Sequence, residues 1–107
     1  MSREPAFGEV WLSPDATVLP GGMLCLVVSG DLYNAQRDQR IVVEVISQRL
    51  PSAGGVLVDL GPVGSAVVDT PIAVSLNWFA GSTEPVATVE PAQARRAADA
   101  LRALLGP

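Results

Sequence analysis

The stretch Met23–Leu50, MLCLVVSGDLYNAQRDQRIVVEVISQRL, sets the strongest constraint on the fold. Two runs within it, Met23–Ser29 and Arg40–Ser47, are rich in Val, Ile and Leu and contain no Gly or Pro. A buried, pleated surface selects that composition. The connector Gly30–Gln39 is polar and carries Asp31, Tyr33, Asn34, Arg37 and Asp38. Asp31 can cap a single helical turn reaching Gln36. The pattern predicts strand, short helix, strand.

The rest of the chain supplies more short strands. Met1–Phe7 is expected to be a mobile leader, and residues 8–107 a single domain. Gly8–Ser13 alternates Val10 and Leu12 against Glu9 and Trp11 and reads as a first strand, with Trp11 packed in the interior. Pro14–Gly22 is a loop, because Pro14, Pro20 and the Gly21-Gly22 pair all break regular structure. Gly55–Leu60 is a fourth strand, followed by a turn at Gly61–Gly64. Ser65–Asp69 and Ile72–Leu76 read as two strands broken at Thr70-Pro71, since Pro71 cannot donate to a ladder. Trp78 and Phe79 fall in a loop, where packing is the simpler reading and stacking on a base the sharper one. Val86–Val89 is a last short strand.

Pro91 suits a first helical position, and Gly106-Pro107 is a stop signal. Between them Ala94, Ala97, Ala98, Leu101, Leu104 and Leu105 share one stripe at helical spacing. Several short strands and one terminal helix predict a small, strongly bent antiparallel sheet or partly open barrel.

Charge and residue types narrow the chemistry. The 107 residues carry eleven carboxylates against seven cations, a formal charge of −4. The chain as a whole is therefore repelled by nucleic acid and anionic membranes, and any RNA site must be a local basic patch. All seven cations are Arg, which suits bidentate phosphate recognition but equally follows from a coding bias. Cys25 stands alone in an apolar run and reads as a small core residue. No apolar run is long enough to span a bilayer, so the expected location is the cytoplasm.

The sequence has no His, no P-loop and no zinc-ligand spacing, so no metal or cofactor is expected. What remains is chemistry open to Arg, Ser and carboxylates. RNA cleavage through its own 2′-hydroxyl is one such reaction: it needs a base for that hydroxyl, positive charge on the phosphoryl oxygens and an acid for the leaving oxygen. Arg37, Arg40, Glu44, Ser47, Gln48 and Arg49 cluster in sequence around the third strand and its end. Each also has a bland reading, as a solvated turn residue or a strand terminus. Glu44, a carboxylate inside IVVEVI, points to a solvent face or a cleft.

In layout the chain resembles the MazF/PemK toxins. GEVWL (Gly8–Leu12) opens it; a loop leads to LVVSGDLYNA (Leu26–Ala35) and a hydrophobic strand ending in a hydroxyl residue; VATVEPAQARRAADALRALLG (Val86–Gly106) closes it. The resemblance implies an SH3-like barrel of the CcdB/MazF type with a C-terminal α-helix, acting as a homodimer. It implies metal-independent, sequence-selective cleavage of single-stranded RNA, and a cognate antitoxin whose tail lies across the groove. By position the family's catalytic hydroxyl falls on Ser47. The family's Arg-Pro before the second strand corresponds to Gly22-Met23, so Gly22 takes a substrate-binding position without bringing charge. Arg49 or Arg40 is left to supply the missing cation, with Gln48, Arg37 and Glu44 beside the substrate. A catalytically impaired protein of the same fold that binds an antitoxin-like partner is the alternative. A topoisomerase poison resembling CcdB ranks third, because no aromatic residue stands at the end of the chain.

Overall fold

The computed structural model describes residues 4–12, 24–46, 56–79 and 84–106. In chain order these form β1 (Glu9–Leu12), β2 (Leu24–Val27), α1 (Asp31–Gln36), β3 (Gln39–Ile46), β4 (Leu57–Asp59), β5 (Ser65–Ser75), β6 (Ala87–Thr88) and α2 (Pro91–Leu104). Every pairing is antiparallel, and the strands lie in the order β4-β5-β3-β2-β1-β6. This is the mainly β half-barrel with a C-terminal helix that the sequence predicts.

Residues opposite one another across a ladder share a face. Val10, Leu26 and Val43 form one row, and Trp11, Cys25, Glu44 and Val67 form another on the reverse side. The first face buries Val10, Leu26, Val43, Val45, Ala66 and Val68, and α2 adds Ala97, Ala100 and Leu101 to that cluster. The second face holds a separate cluster of Trp11, Cys25, Val27, Val42, Val74 and Phe79. The central strands are thus covered on both sides, which explains why β2 and β3 read as near-continuous apolar runs.

Trp11 is packed in the interior as expected, and Glu9 is buried beside it, while Leu12 is 42% exposed. Trp11 Nε1 donates to Glu9 Oε1 at 3.1 Å, and the indole meets Phe79 edge to face at 5.6 Å between ring centres. Phe79 belongs to a 3-10 turn, Leu76–Phe79, and is buried, so packing is its role.

β5 is one strand through Pro71, not two. The pairing with β3 passes from Val42–Ile72 to Glu44–Val67, so Val43 faces the whole span Val68–Pro71 and the extra residues bulge. Leu76 N–H donates to Asp38 O at 2.9 Å. Because antiparallel bonding alternates, Arg40–Val74 and Val42–Ile72 are the bonded pairs, and Ala73 and Ser75 turn their backbone groups outward. Pro71, next to Ile72, also falls on the outward side, where its missing N–H costs no ladder bond.

The other corrections are local. α1 spans Asp31–Gln36 as expected, but Gly30 is its N-cap and no side chain caps it. The turn is held instead through Ser29, whose hydroxyl donates to Asn34 Oδ1 at 2.7 Å and accepts from Ile41 N–H at 3.1 Å. Residues 4–6, within the expected leader, bond to the sheet: Ala6 N–H donates to Glu9 Oε1 at 2.8 Å, Pro5 O accepts from Arg40 Nε at 2.7 Å, and Glu4 faces Arg40 Nη2. In α2 the predicted stripe is only partly used. Ala94 and Ala97 are buried, but Leu104 and Leu105 are 46% and 77% exposed. Gly8, at φ +84°, brings the chain close to that helix: a Cβ there would sit 3.4 Å from Ala94 Cβ.

Cys25 lies within the second cluster, and burial pushes its thiol from the ordinary 9.0 up to about 12. An unfolded chain ionises this thiol above about pH 9 while the native chain keeps its proton. Stability from this group is therefore complete below pH 9 and falls as pH rises towards 12. At pH 8 a thiol-specific chromogenic reagent is expected to label the native protein only at the rate of global unfolding. Full labelling within minutes would contradict a sealed Cys25.

Candidate functional site

The third strand carries the predicted site, and its geometry divides that site in two. β3 is extended, at roughly 3.3 Å per residue. Arg40 near its start and Ile46 at its end are therefore roughly 20 Å apart along the strand. Arg37 lies further back still, at the C-cap of α1. The predicted grouping of Arg37 and Arg40 with the far end of β3 is not what the fold produces.

Arg40 has a different task. It is only 3% exposed. Its Nε donates to Pro5 O at 2.7 Å, and its Nη1 donates to Gln39 O at 2.8 Å and Arg37 O at 3.2 Å. Its Nη2 stands 3.5 Å from the largely exposed carboxylate of Glu4. A guanidinium spent on three carbonyls, one strand-length from the described end of β3 at Ile46, is a strut that ties residues 4–6 to the sheet. Its donors are thereby engaged by the scaffold rather than held out to solvent. Arg40→Met is expected to lose about 2–4 kcal/mol in denaturant unfolding, because the buried Pro5 carbonyl and two part-buried ones lose a charged donor. A loss below about 1 kcal/mol would contradict the strut.

Arg37 is exposed and stands over the Tyr33 ring, 5.7 Å from its centre. Such a pair is adapted to surface contact, since the cation is held without being neutralised. Sequence reading singled out Arg37 but not Tyr33; the i, i+4 spacing on α1 is the signal that joins them. The hollow of about 330 Å³ beside α1 is lined by Glu4, Asp31 and Arg40, so its charge is mixed and it is not a basic groove.

Glu44 occupies the other end of β3, opposite Cys25 and Val67. It is half-buried, and its Oε2 is buried without a hydrogen-bond partner among the described residues. Ser65, which pairs with Ile46 two residues on, shares this face and buries an unpartnered Oγ of its own. Buried polar atoms without partners cost free energy, and a cleft that receives a polar ligand is one place where they persist. Glu44 thus stands half-buried on β3 with an acceptor oxygen that no described residue satisfies. Ser65 was missed because a Ser opening a strand carries no sequence signal. Ser47, Gln48, Arg49 and Gly22 lie outside the described residues. Among the described residues no group of three or more acidic, Cys or His side chains is placed to hold a metal ion. No helix among them is long and apolar enough to cross a membrane.

No protein-family model matches the sequence, and no curated protein matches it. Solved structures do match the fold. An endoribonuclease from a mycobacterial species superposes with a TM-score of 0.74 at 20% identity, covering 99% of this chain and 95% of its own. The MazE–MazF complex of Deinococcus radiodurans gives 0.74 at 20% identity, over 99% of this chain and 100% of that one. MazF alone from the same organism gives 0.71 at 24% identity over the same shares. The resemblance seen in the order of three short motifs is therefore matched in three dimensions, and the chain has the MazF fold over nearly its whole length.

Proposed function

We propose that this protein is the toxin of a type II toxin–antitoxin pair, a metal-independent endoribonuclease that cuts single-stranded mRNA in the cytoplasm. The observation that carries the proposal is the end-to-end likeness to structures described as endoribonucleases, one of them in complex with its cognate antitoxin. The working unit is a homodimer, and the partner that silences it is a cognate antitoxin.

In this reading Ser47, immediately after β3, presents its hydroxyl to the scissile phosphate. Arg49 supplies the positive charge that the loop position Gly22 does not. Glu44, with a free acceptor oxygen on the same strand, faces the substrate, and Gln48 and the Tyr33–Arg37 pair hold flanking nucleotides. Charge stabilisation at the phosphoryl group is the largest single term in such a reaction, so Arg49 is the residue on which the activity turns.

One observation favours the alternative of an impaired, partner-binding member of the fold. Arg40 is engaged by the scaffold, which leaves Arg49 of the two cations that the sequence offers for catalysis. Purified protein incubated with a long single-stranded RNA in EDTA decides between them. Discrete fragments are expected; intact RNA together with tight binding of an adjacent-gene product would favour the alternative.

A further inference from the structure

We infer that the outer edge of β5, from Pro71 to Ser75, is a docking site for an extended, basic peptide that adds to the sheet as a further strand. The inference goes beyond RNA cleavage and stands whether or not that activity is found.

Among the described residues the edge is open by register. β4 pairs with β5 only at Ser65–Val67, and Val68 N–H adds one bond to Val56 O. Beyond Val68, β5 has a described neighbour on the β3 side alone. Val74 and Ile72 spend their backbone groups on β3, so Ala73 and Ser75 direct theirs away from the sheet. Both residues are exposed, and no described backbone group bonds them on the outward side. An edge of this kind is a template for strand addition unless a protein blunts it. The usual protections are thin here. Ser65–Phe79 contains no Lys or Arg, and Pro71 removes one outward donor while leaving its carbonyl free.

The setting tells what the added strand must look like. Ile72 and Trp78 are half-buried against the second-face cluster at this edge, giving alternate apolar side chains of a guest strand a surface to pack on. Trp78 Nε1 is buried with no partner among the described residues, so a polar atom near this edge is still unsatisfied. The charges select a basic guest. Asp69 is exposed at one end of the edge, Asp38 is exposed at the other, and the chain as a whole carries −4. Arg37 offsets Asp38 in part, and Asp69 has no cation beside it in sequence. A guest that alternates β-branched and basic residues satisfies backbone, packing and charge together.

The test uses the full-length protein and three peptides: an acetylated, amidated Arg-Val octapeptide, the same peptide N-methylated at alternate residues, and a Glu-Val octapeptide. Amide exchange is first followed by NMR in the protein alone. Ala73 and Ser75 are expected to exchange at least tenfold faster than Val74. Equal protection would mean that the chain covers its own edge, and would overturn the inference. On adding the Arg-Val peptide, the Ala73 and Ser75 amides are expected to shift and to gain protection. The N-methylated and Glu-Val peptides should bind at least tenfold more weakly, and Asp69→Lys should reduce Arg-Val binding severalfold while raising Glu-Val binding. Unshifted Ala73 and Ser75, or equal binding of the N-methylated peptide, overturns strand addition. A single-stranded RNA or a second copy of the chain that protects these amides better than the peptide overturns the choice of guest.

Discussion

Trp11→Ala is expected to lower stability by about 4 kcal/mol, as large core truncations do. Three facts set that size. The side chain has no solvent exposure, it is the largest fully buried one among the described residues, and it links β1 to the turn that covers the second face. Removing it also takes the indole donor from Glu9, a carboxylate only 2% exposed. A chain of this size has total stability on the order of 5–15 kcal/mol, so the variant should melt roughly 15–25 °C lower or fail to fold at 37 °C. Trp11→Phe separates the two contributions. It keeps most of the packing and loses the hydrogen bond, for an expected cost of about 1–2 kcal/mol. A Trp11→Ala protein that melts within about 5 °C of wild type would show that the second face is not a core.

The second large effect concerns catalysis. Arg49→Ala is expected to slow RNA cleavage about 10²–10³-fold, the range seen when one preorganised charge-stabilising donor is lost. Ser47→Ala should cost a similar factor. The double variant should lose much less than the product of the two, because groups serving one transition state are not additive. Arg40→Met is the control, expected to melt lower while its folded fraction cuts RNA at the wild-type rate. Wild-type cleavage by Arg49→Ala would remove the cation from the proposed mechanism. Loss of cleavage in folded Arg40→Met, with Arg49→Ala unaffected, would reverse the assignment of the two arginines.

The sequence was readable where local chemistry and tertiary demand agree. β2, α1, β3 and α2 could be located from apolar runs, a polar connector, Pro91 and Gly106, because those residues leave the backbone few alternatives. It was misread where a side chain answers to a distant partner. Nothing local marks Glu9 as buried until Trp11 Nε1 and Ala6 N–H are seen to converge on it. Arg40 looks like a free cation until Pro5, 35 positions away, supplies its acceptor. Pro71 looks like a strand break until the register shows its nitrogen on the outward side. The same holds for the candidate site. Spacing placed Glu44 on β3, but proximity in sequence grouped Arg40 with a strand end that the extended backbone holds about 20 Å away.

The central claim is that the RNA's own 2′-hydroxyl attacks the phosphate, with charge supplied by the protein beside Ser47 and no metal. A fluorescent oligoribonucleotide containing a mapped cleavage site, compared in EDTA with the same oligonucleotide carrying one 2′-deoxy sugar at the scissile position, tests it most directly. The account predicts that the all-ribose strand is cut to leave a 5′-hydroxyl and a 2′,3′-cyclic phosphate, and that the single deoxy substitution abolishes the cut. Equal cleavage of both strands, or cleavage that appears only when a divalent cation is added, would contradict it.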